Sequence, residues 1–373
     1  MTISLFDHPL FAGLLGDPTI SHAFSTEAEL AAMVRFESAL AEVEAELGII
    51  PAEAARAIVK ACAAFSPDLE KLRDDVQRDG LAVPGLVKQL RASVGEPHGA
   101  HFHFGATSQD LMDTGLILRL QPVLDRFHQR LQELADALVV LDERFGAHPL
   151  MGKTRMRSAL PITVAIRLRN WSEPLHVHEA QLNALRPALS TLQFAGAVGT
   201  LDKLGDRGPA VRNALAARLG LNAPAGSWHV QRTRFGDFGN WLSAVTATLG
   251  KMGADLALMG LDEVGAAELT GGGGSSAMPH KQNPVAAETL TALARYNAAQ
   301  LGGLHQALVH EHERSGAMWT LEWLILPGMV AATGAALLTA NRLALSIEHL
   351  GGCEIGGRRI RCFRGCGQSS EIR

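Results

Sequence analysis

Residues 110–145 carry an apolar stripe with helical spacing, and this stripe constrains the fold more than any other part of the chain. Its members recur at intervals of three and four: Leu116, Leu120, Val123, Phe127, Leu131, Leu134, Leu138 and Leu141. Such spacing places the side chains on one face of an α-helix. A helix over this range, bent or interrupted near Pro122, would be about 54 Å long. It needs comparably long neighbours to bury that face.

Other segments predict such neighbours. Further long helices are predicted over residues 161–192, 236–261, 284–311 and 321–347, and a shorter one begins at Ser25, whose side chain can cap it. Aromatic residues make up only 5% of the chain, there is one tyrosine, and good helix formers dominate. Long apolar helices with short links are typical of a bundle. The predicted fold class is therefore all-α, built on a long central helix bundle.

The uncharged run at residues 323–340 has about the length of a membrane span. It contains Pro327, Gly328 and Gly334, and no comparable second span exists. A helix that is apolar on all sides is buried in the core of a soluble protein. We therefore predict a core helix, with other subunits contributing to its burial.

Composition excludes several functional classes. Charged residues make up 19% of the 373 residues, with a net charge of −4, which leaves no electrostatic footprint for nucleic acid. The first eight residues contain Asp7 and no Lys or Arg, so they do not form a signal peptide. Cys62 is the one cysteine in the first 352 residues, which favours a reducing compartment. We predict a cytoplasmic protein without a nucleic-acid or membrane partner.

The segment with the most chemical content follows four glycines at residues 271–274. Ser275, Ser276, Lys281 and Asn283 come within nine residues of this run. A glycine run alone is often a flexible linker, but one beside convergent polar groups is typical of a mobile lid over an active site. Asn283 also fits the N-cap of a following helix that has Pro284 in its first turn. His280 is expected to be exposed.

Two earlier motifs accompany this segment. Gly-Ala-Thr-Ser-Gln-Asp occupies residues 105–110, and Met-Gly-Lys-Thr-Arg-Met-Arg occupies residues 151–157. Thr107 and Ser108 would open the long helix. They could serve as capping residues alone, or they could also bind an anion, since free N–H groups at a helix start attract negative charge.

The three motifs, in this order and at this spacing, resemble those of the fumarase/aspartase superfamily, whose members make or break a bond β to a carboxylate. The resemblance runs from about residue 5 to residue 350. It implies an N-terminal helical domain at residues 1–105, a central long-helix domain at residues 106–350, and a homotetramer with shared active sites. Family members usually continue with a third, helical domain.

Residues 351–373 do not fit this pattern and are expected to form an irregular tail, with the third domain missing. Cys, Gly and Arg are abundant there, and no helical stripe continues. A frameshift or a truncated reading would produce such a tail. A zinc ribbon is the alternative, but three cysteines without a fourth regularly spaced ligand fall short of one.

The resemblance implies roles for the motif residues. Ser275 would be the catalytic acid or base, with Ser276 as its rival, because sequence cannot separate adjacent hydroxyls. Lys281 and Asn283 would stabilise the doubly charged aci-carboxylate formed when a proton leaves the carbon α to a carboxylate. Thr107 and Ser108 would bind a substrate carboxylate, and His103 matches a polar family position. The motifs supply an ammonium and guanidinium groups rather than clustered carboxylates, so no metal or cofactor is expected.

Arg155 departs from the pattern of many members. Lyases that expel an amine or hydroxide commonly carry a histidine of the general-acid machinery in this region. Arginine is a poor proton donor but binds carboxylates through two parallel hydrogen bonds. A carboxylate leaving group, with a pKa near about 4, needs no protonation. This favours the branch that interconverts 3-carboxy-cis,cis-muconate and 4-carboxymuconolactone in aromatic catabolism, with serine acid/base catalysis.

A substrate with three carboxylates requires several fixed cations. Arg155, Arg157, Lys281 and Arg314 are the candidates, although Arg314 could equally be a solvated charge between helices. Residues 310–323 and 36–51 also resemble this branch. Two alternatives remain at this point: an amine lyase of the adenylosuccinate lyase type, and an inactive structural homologue.

Overall fold

A computed structural model describes residues 4–278, 281–355 and 358–360, and it confirms the all-α fold class. Short antiparallel strand pairs accompany the helices. The α-helices are α1 Ala12–Leu15, α2 Pro18–Ala23, α3 Thr26–Glu46, α4 Ala52–Ala63, α5 Leu69–Asp79, α6 Val83–Val94, α7 Ser108–Phe145, α8 Val164–Leu189, α9 Gly208–Leu219, α10 Thr233–Met259, α11 Val285–Gln306 and α12 Ala317–Leu345. The strands are β1 Pro149–Thr154, β2 Arg157–Thr163, β3 Ala267–Leu269, β4 Ile347–Leu350, β5 Cys353–Ile355 and β6 Arg358–Ile360, paired as β1–β2, β3–β4 and β5–β6.

The five long helices α7, α8, α10, α11 and α12 form a bundle in which successive members run antiparallel. Near the start of α7, Gln121 donates to the carbonyl of Leu189 at the end of α8, at 2.7 Å. Trp171 early in α8 donates to Asp255 late in α10, at 2.9 Å. Asn297 in α11 donates to Thr333 in α12, at 2.9 Å. The N-terminus of α7 and the C-terminus of α8 therefore lie at the same end of the bundle.

The predicted stripe of α7 is its buried face. Leu116 is half-buried at its start, and the other predicted members, from Leu120 to Leu141, are at most 2% exposed. The helix continues through Pro122 without interruption, although proline cannot donate the usual hydrogen bond to the carbonyl of Leu118. Interior burial along the whole helix outweighs this local loss.

Helix α12 contains the uncharged run. By length and composition it could cross a membrane, but 72% of its most apolar 18-residue window is buried inside this chain. The chain itself therefore buries most of α12. The predicted contribution of other subunits can apply only to the part of the helix that stays exposed. Leu324, at 75% exposure, remains uncovered.

Two local predictions were wrong. Residues 161–163 belong to strand β2 and not to a helix, and α8 begins at Val164. The β1–β2 turn has neither Gly nor Asn, so the usual hairpin signal is absent. At the other position, Pro284 rather than Asn283 is the N-cap of α11, and no side chain in the described part of the chain caps that helix.

The start of α3 is as predicted, because the Ser25 hydroxyl accepts a hydrogen bond from the Ala28 N–H at 3.1 Å. The predicted irregular tail falls mostly outside the described residues. Within it, the backbone of β5 pairs antiparallel with that of β6. Cys362 and Cys366, on which a zinc ribbon would depend, lie outside the described residues.

Candidate active site

The first group of predicted site residues lies at the N-terminus of α7. Thr107 is the N-cap and Ser108 is the first helical residue, so this motif opens the long helix as predicted. The backbone N–H of Thr107 donates to the Asp110 carboxylate at 3.0 Å. The positive end of the α7 dipole is thus directed out of the bundle beside two hydroxyl side chains.

Asp110 connects this helix start to a loop that the sequence did not single out. Its carboxylate, fully buried, accepts hydrogen bonds from the N–H groups of Ala195 and Gly196, each at 3.0 Å. It also lies 2.9 Å from Nε2 of His229, which is 1% exposed. The positive φ of 73° at Gly196 is the conformation that favours glycine. A glycine between two helices was therefore the available sequence signal.

Arg314 joins the same group. Its Nη2 donates to the Thr107 hydroxyl at 3.0 Å and to the carbonyl of Ala197 at 2.9 Å. The side chain is partly buried rather than freely solvated. The structure thus places a guanidinium at the N-terminus of α7 from a position 207 residues away in the chain.

His103 lies in the segment that leads into Thr107. Its Nδ1 is 2.5 Å from a carboxylate oxygen of Glu37, which is 1% exposed and belongs to α3. We call the group formed by His103, Thr107, Ser108, Asp110 and Arg314 the anchored end of the bundle.

A buried ion cluster supports the anchored end. Arg232 is 1% exposed and donates to both oxygens of Asp113, at 2.7 and 3.0 Å, and to both oxygens of Glu322, at 2.9 and 2.5 Å. Burial opposes the charge on Arg232, but attraction to the two carboxylates outweighs it and raises its pKa. Burial raises the pKa of Glu322 despite the arginine. The cluster ties α7 and α12 to the residue preceding α10.

The second group lies on the β1–β2 hairpin. Thr154 pairs with Arg157, which leaves Arg155 and Met156 as a two-residue turn. Both turn residues have positive φ, 49° and 64°. Such turns normally use Asn-Gly or Asp-Gly, so two larger residues here store strain of about 1–3 kcal/mol each. Arg155 and Arg157 are exposed near the tip.

The third group lies on the glycine-rich loop. A backbone bridge closes its base, since Gly273 and Asn283 exchange hydrogen bonds at 2.9 and 2.8 Å. The hydroxyl of Ser275 accepts from the N–H groups of Ala277 at 3.3 Å and Met278 at 3.1 Å. Ser275 is half-buried, whereas Ser276 and Lys281 are exposed. His280, predicted to be exposed, lies outside the described residues.

The second and third groups share the end of the bundle opposite to the anchored end. The hairpin follows the C-terminus of α7, and Gly352 donates to the carbonyl of Pro149 at its base. Gly352 follows β4, which pairs with β3, and β3 leads into the glycine-rich loop. We call this region the open end; it contains Arg155, Arg157, Ser275, Ser276, Lys281 and Asn283.

The length of α7 separates the two ends. The helix has 38 residues, which corresponds to about 57 Å. The residues that were expected to share one site therefore lie far apart within one chain. Among the described residues, no group of three or more His, Cys, Asp and Glu side chains could hold a metal ion.

Comparison with known proteins identifies the family. The sequence model of a lyase family matches residues 17–296, three quarters of the chain. The chain belongs to this lyase family, of the fumarase/aspartase type. A 3-carboxy-cis,cis-muconate cycloisomerase of Pseudomonas aeruginosa is 39% identical to it over 344 residues, 91% of this chain and 74% of that protein.

A solved structure agrees with this assignment. The 3-carboxy-cis,cis-muconate lactonizing enzyme of Pseudomonas putida superimposes with a TM-score of 0.86 at 37% identity, covering 92% of this chain and 77% of that one. Trans-aconitate decarboxylase 1 of Mycosarcoma maydis is also similar, at 33% identity over 88% of this chain and 67% of that protein. The relatives thus include more than one activity on polycarboxylates. Family membership alone therefore does not identify the reaction, and the choice of one reaction must rest on the site residues.

Proposed function

We propose that this chain is a cycloisomerase that interconverts 3-carboxy-cis,cis-muconate and 4-carboxymuconolactone. In the lactonising direction, a carboxylate oxygen of the substrate adds to a double bond of the same molecule. A proton is delivered to the carbon α to another carboxylate. The reaction is an isomerisation, so its atoms and electrons balance without a cofactor or a metal.

The presence of an arginine at position 155 is the main reason for choosing a cycloisomerase over an amine lyase. Its position at the hairpin tip corresponds to the region where amine-expelling and hydroxide-expelling relatives commonly carry a histidine. A guanidinium keeps its proton at ordinary pH, and it suits a reaction whose leaving group is itself a carboxylate. Arg157, two residues along the hairpin, would add a second cation for the three substrate carboxylates.

Ser275 is the proposed acid and base. Its hydroxyl oxygen already accepts hydrogen bonds from two backbone N–H groups of its own loop. Donors directed at an oxygen stabilise negative charge on that oxygen. Ser276 has greater exposure and is the weaker candidate. Lys281 and Asn283 would stabilise the aci-carboxylate formed at the substrate.

The anchored end would bind a second carboxylate. Thr107 and Ser108 offer hydroxyls and the N–H groups of a helix start, where anions bind readily. Arg314 and His103 would add charge beside them. Because Arg314 already contacts Thr107, this part of the site is organised before substrate arrives.

A homotetramer with shared active sites would bring the two ends together. Antiparallel packing of two bundles places the anchored end of one copy beside the open end of another. Exposed apolar side chains on the bundle suit such packing: Val139, Val140, Ile166, Val177 and Leu324. We also retain residues 1–105 and 106–350 as proposed domains, and we propose a cytoplasmic location.

The deciding experiment compares two substrates. Purified protein is mixed with 3-carboxy-cis,cis-muconate, and loss of the conjugated diene is followed by ultraviolet absorbance, with the lactone verified by NMR. Adenylosuccinate is tested in parallel. Lactone formation without adenylosuccinate cleavage supports the proposal. Cleavage of adenylosuccinate would assign an amine lyase instead, and inactivity on both would favour a structural homologue.

A further inference from the structure

Three titratable groups are buried together where α3 packs against α4. Glu37 and Glu44 are each 1% exposed, and Cys62 is 7% exposed. Burial, with repulsion from Glu37 added, raises the pKa of Glu44 to about 9 and that of Cys62 to about 12. At neutral pH both groups are therefore uncharged.

Glu37 differs from Glu44 and Cys62 because its carboxylate contacts an imidazole ring. Nδ1 of His103 is 2.5 Å from Oε1 of Glu37. Burial alone would lower the pKa of His103, but attraction to Glu37 and the hydrogen bond between them raise it. Asp110 of α7 adds attraction, and Arg91 of α6 opposes it. Contact with Glu37 thus favours the protonated form of the histidine.

The contact also orients the imidazole ring. His103 has a φ of 61°, an uncommon conformation for a residue with a side chain. With Nδ1 engaged by Glu37, Nε2 is the nitrogen available to a ligand, and the side chain keeps 16% of its surface exposed. Arg91, whose guanidinium donates to the Phe102 carbonyl at 3.0 Å, holds the adjoining backbone.

We propose that Glu37 is a positioning residue that fixes the His103 ring through Nδ1, so that its Nε2–H binds a carboxylate of the substrate at the N-terminus of α7. This inference rests on the proposed function for the identity of the ligand. It assigns to a residue of the N-terminal helices a part in recognising the substrate. Glu44, two turns further along α3, has no such part, because it is neutral.

The test compares Glu37→Gln with Glu44→Gln, a matched pair of isosteric changes on one buried helix. The titration of His103 is followed by NMR of its Cε1–H, assigned by its loss in His103→Gln. Glu37→Gln should lower the pKa of His103, because attraction to Glu37 and the hydrogen bond between them raise it. Glu44→Gln should leave it unchanged. A His103 pKa that does not respond to Glu37→Gln overturns the inference.

Binding supplies the second measurement, with propane-1,2,3-tricarboxylate as the probe. Because the imidazolium binds the anion, Kd should rise as pH increases through the His103 pKa. In Glu37→Gln this rise should begin at lower pH, and Kd at neutral pH should be about ten- to a hundredfold higher. Glu44→Gln should bind like the unmodified protein.

His103→Gln is the control for the case in which Glu37→Gln loses affinity only because it folds poorly. It should show the same loss of affinity without the pH-dependent rise in Kd. Unchanged Kd in a folded His103→Gln protein would overturn the inference. If the titration and binding results hold while lactone formation is absent, the proposed function fails and the role of Glu37 stands.

Discussion

The anchored end and the open end of the bundle differ in how much of their geometry one chain provides. At the anchored end, Thr107 and Arg314 are in direct contact, and Asp110 is fully buried among hydrogen-bond donors. At the open end, Arg155 and Lys281 are exposed, and a glycine-rich loop carries the proposed acid/base. In the proposed function, carboxylate binding would therefore be organised within one chain, whereas proton transfer would depend on a loop that another copy would meet.

The largest expected effect concerns the open end. Ser275→Ala should lower kcat for lactone formation by about 10²–10⁴, the usual scale for removing a proton-transfer group. Substrate binding should survive, because the cations remain. Steady-state kinetics measures both, and Ser276→Ala is the matched control. A silent Ser275→Ala together with a disabling Ser276→Ala would transfer the role to Ser276.

Mixing variants tests whether the two ends act across subunits. Ser275→Ala removes an open-end group, and Arg314→Met removes an anchored-end group. If a site combines ends from different copies, hybrids made by mild dissociation and reassembly should contain some intact sites. Activity should then recover to a measurable fraction of the unmodified level. No recovery in hybrids verified by native mass spectrometry would contradict shared sites.

The buried ion cluster is expected to stabilise the anchored end, and a substitution of its arginine tests this. Arg232→Met leaves Asp113 and Glu322 buried without their cation, which should lower the free energy of unfolding by about 3–5 kcal/mol. Urea denaturation at fixed protein concentration measures this.

Arg218→Met provides the control, because its salt bridges to Glu42 and Glu46 are solvent-exposed. It should lower stability by at most about 1 kcal/mol. Equal losses for Arg218→Met and Arg232→Met would mean that the buried cluster does not stiffen the anchored end.

A smaller effect is expected at the hairpin tip. Arg155→His should weaken substrate binding by about 1.5–3 kcal/mol, the scale of a lost charge-assisted hydrogen bond. Adenylosuccinate cleavage should not appear. Arg155→Lys should also raise KM, since a point charge cannot copy the two-pronged guanidinium. An Arg155→His protein with unchanged KM and kcat would remove the main reason for choosing a cycloisomerase.

Local patterns in the sequence predicted the long helices well. The stripe of α7 and the cap at Ser25 were read correctly because helical periodicity and capping depend on neighbours within a few residues. The β1–β2 hairpin was missed because its turn uses Arg155 and Met156 in a conformation that sequence rules assign to Gly or Asn. Asp110 lies in a predicted motif, but the only signal for its partners in the loop at 195–196 was Gly196, and a single glycine does not identify a contact.

The sequence by itself determined the long helices, their buried faces and the candidate residues for chemistry on a carboxylate, since these follow from residue type and short-range spacing. Only the tertiary structure decided which of those residues meet. Asp110 reaches His229 across 119 residues, and Arg314 reaches Thr107 across 207. Such contacts depend on how antiparallel helices fold back along the bundle, and the same folding separates the motifs to opposite ends of α7.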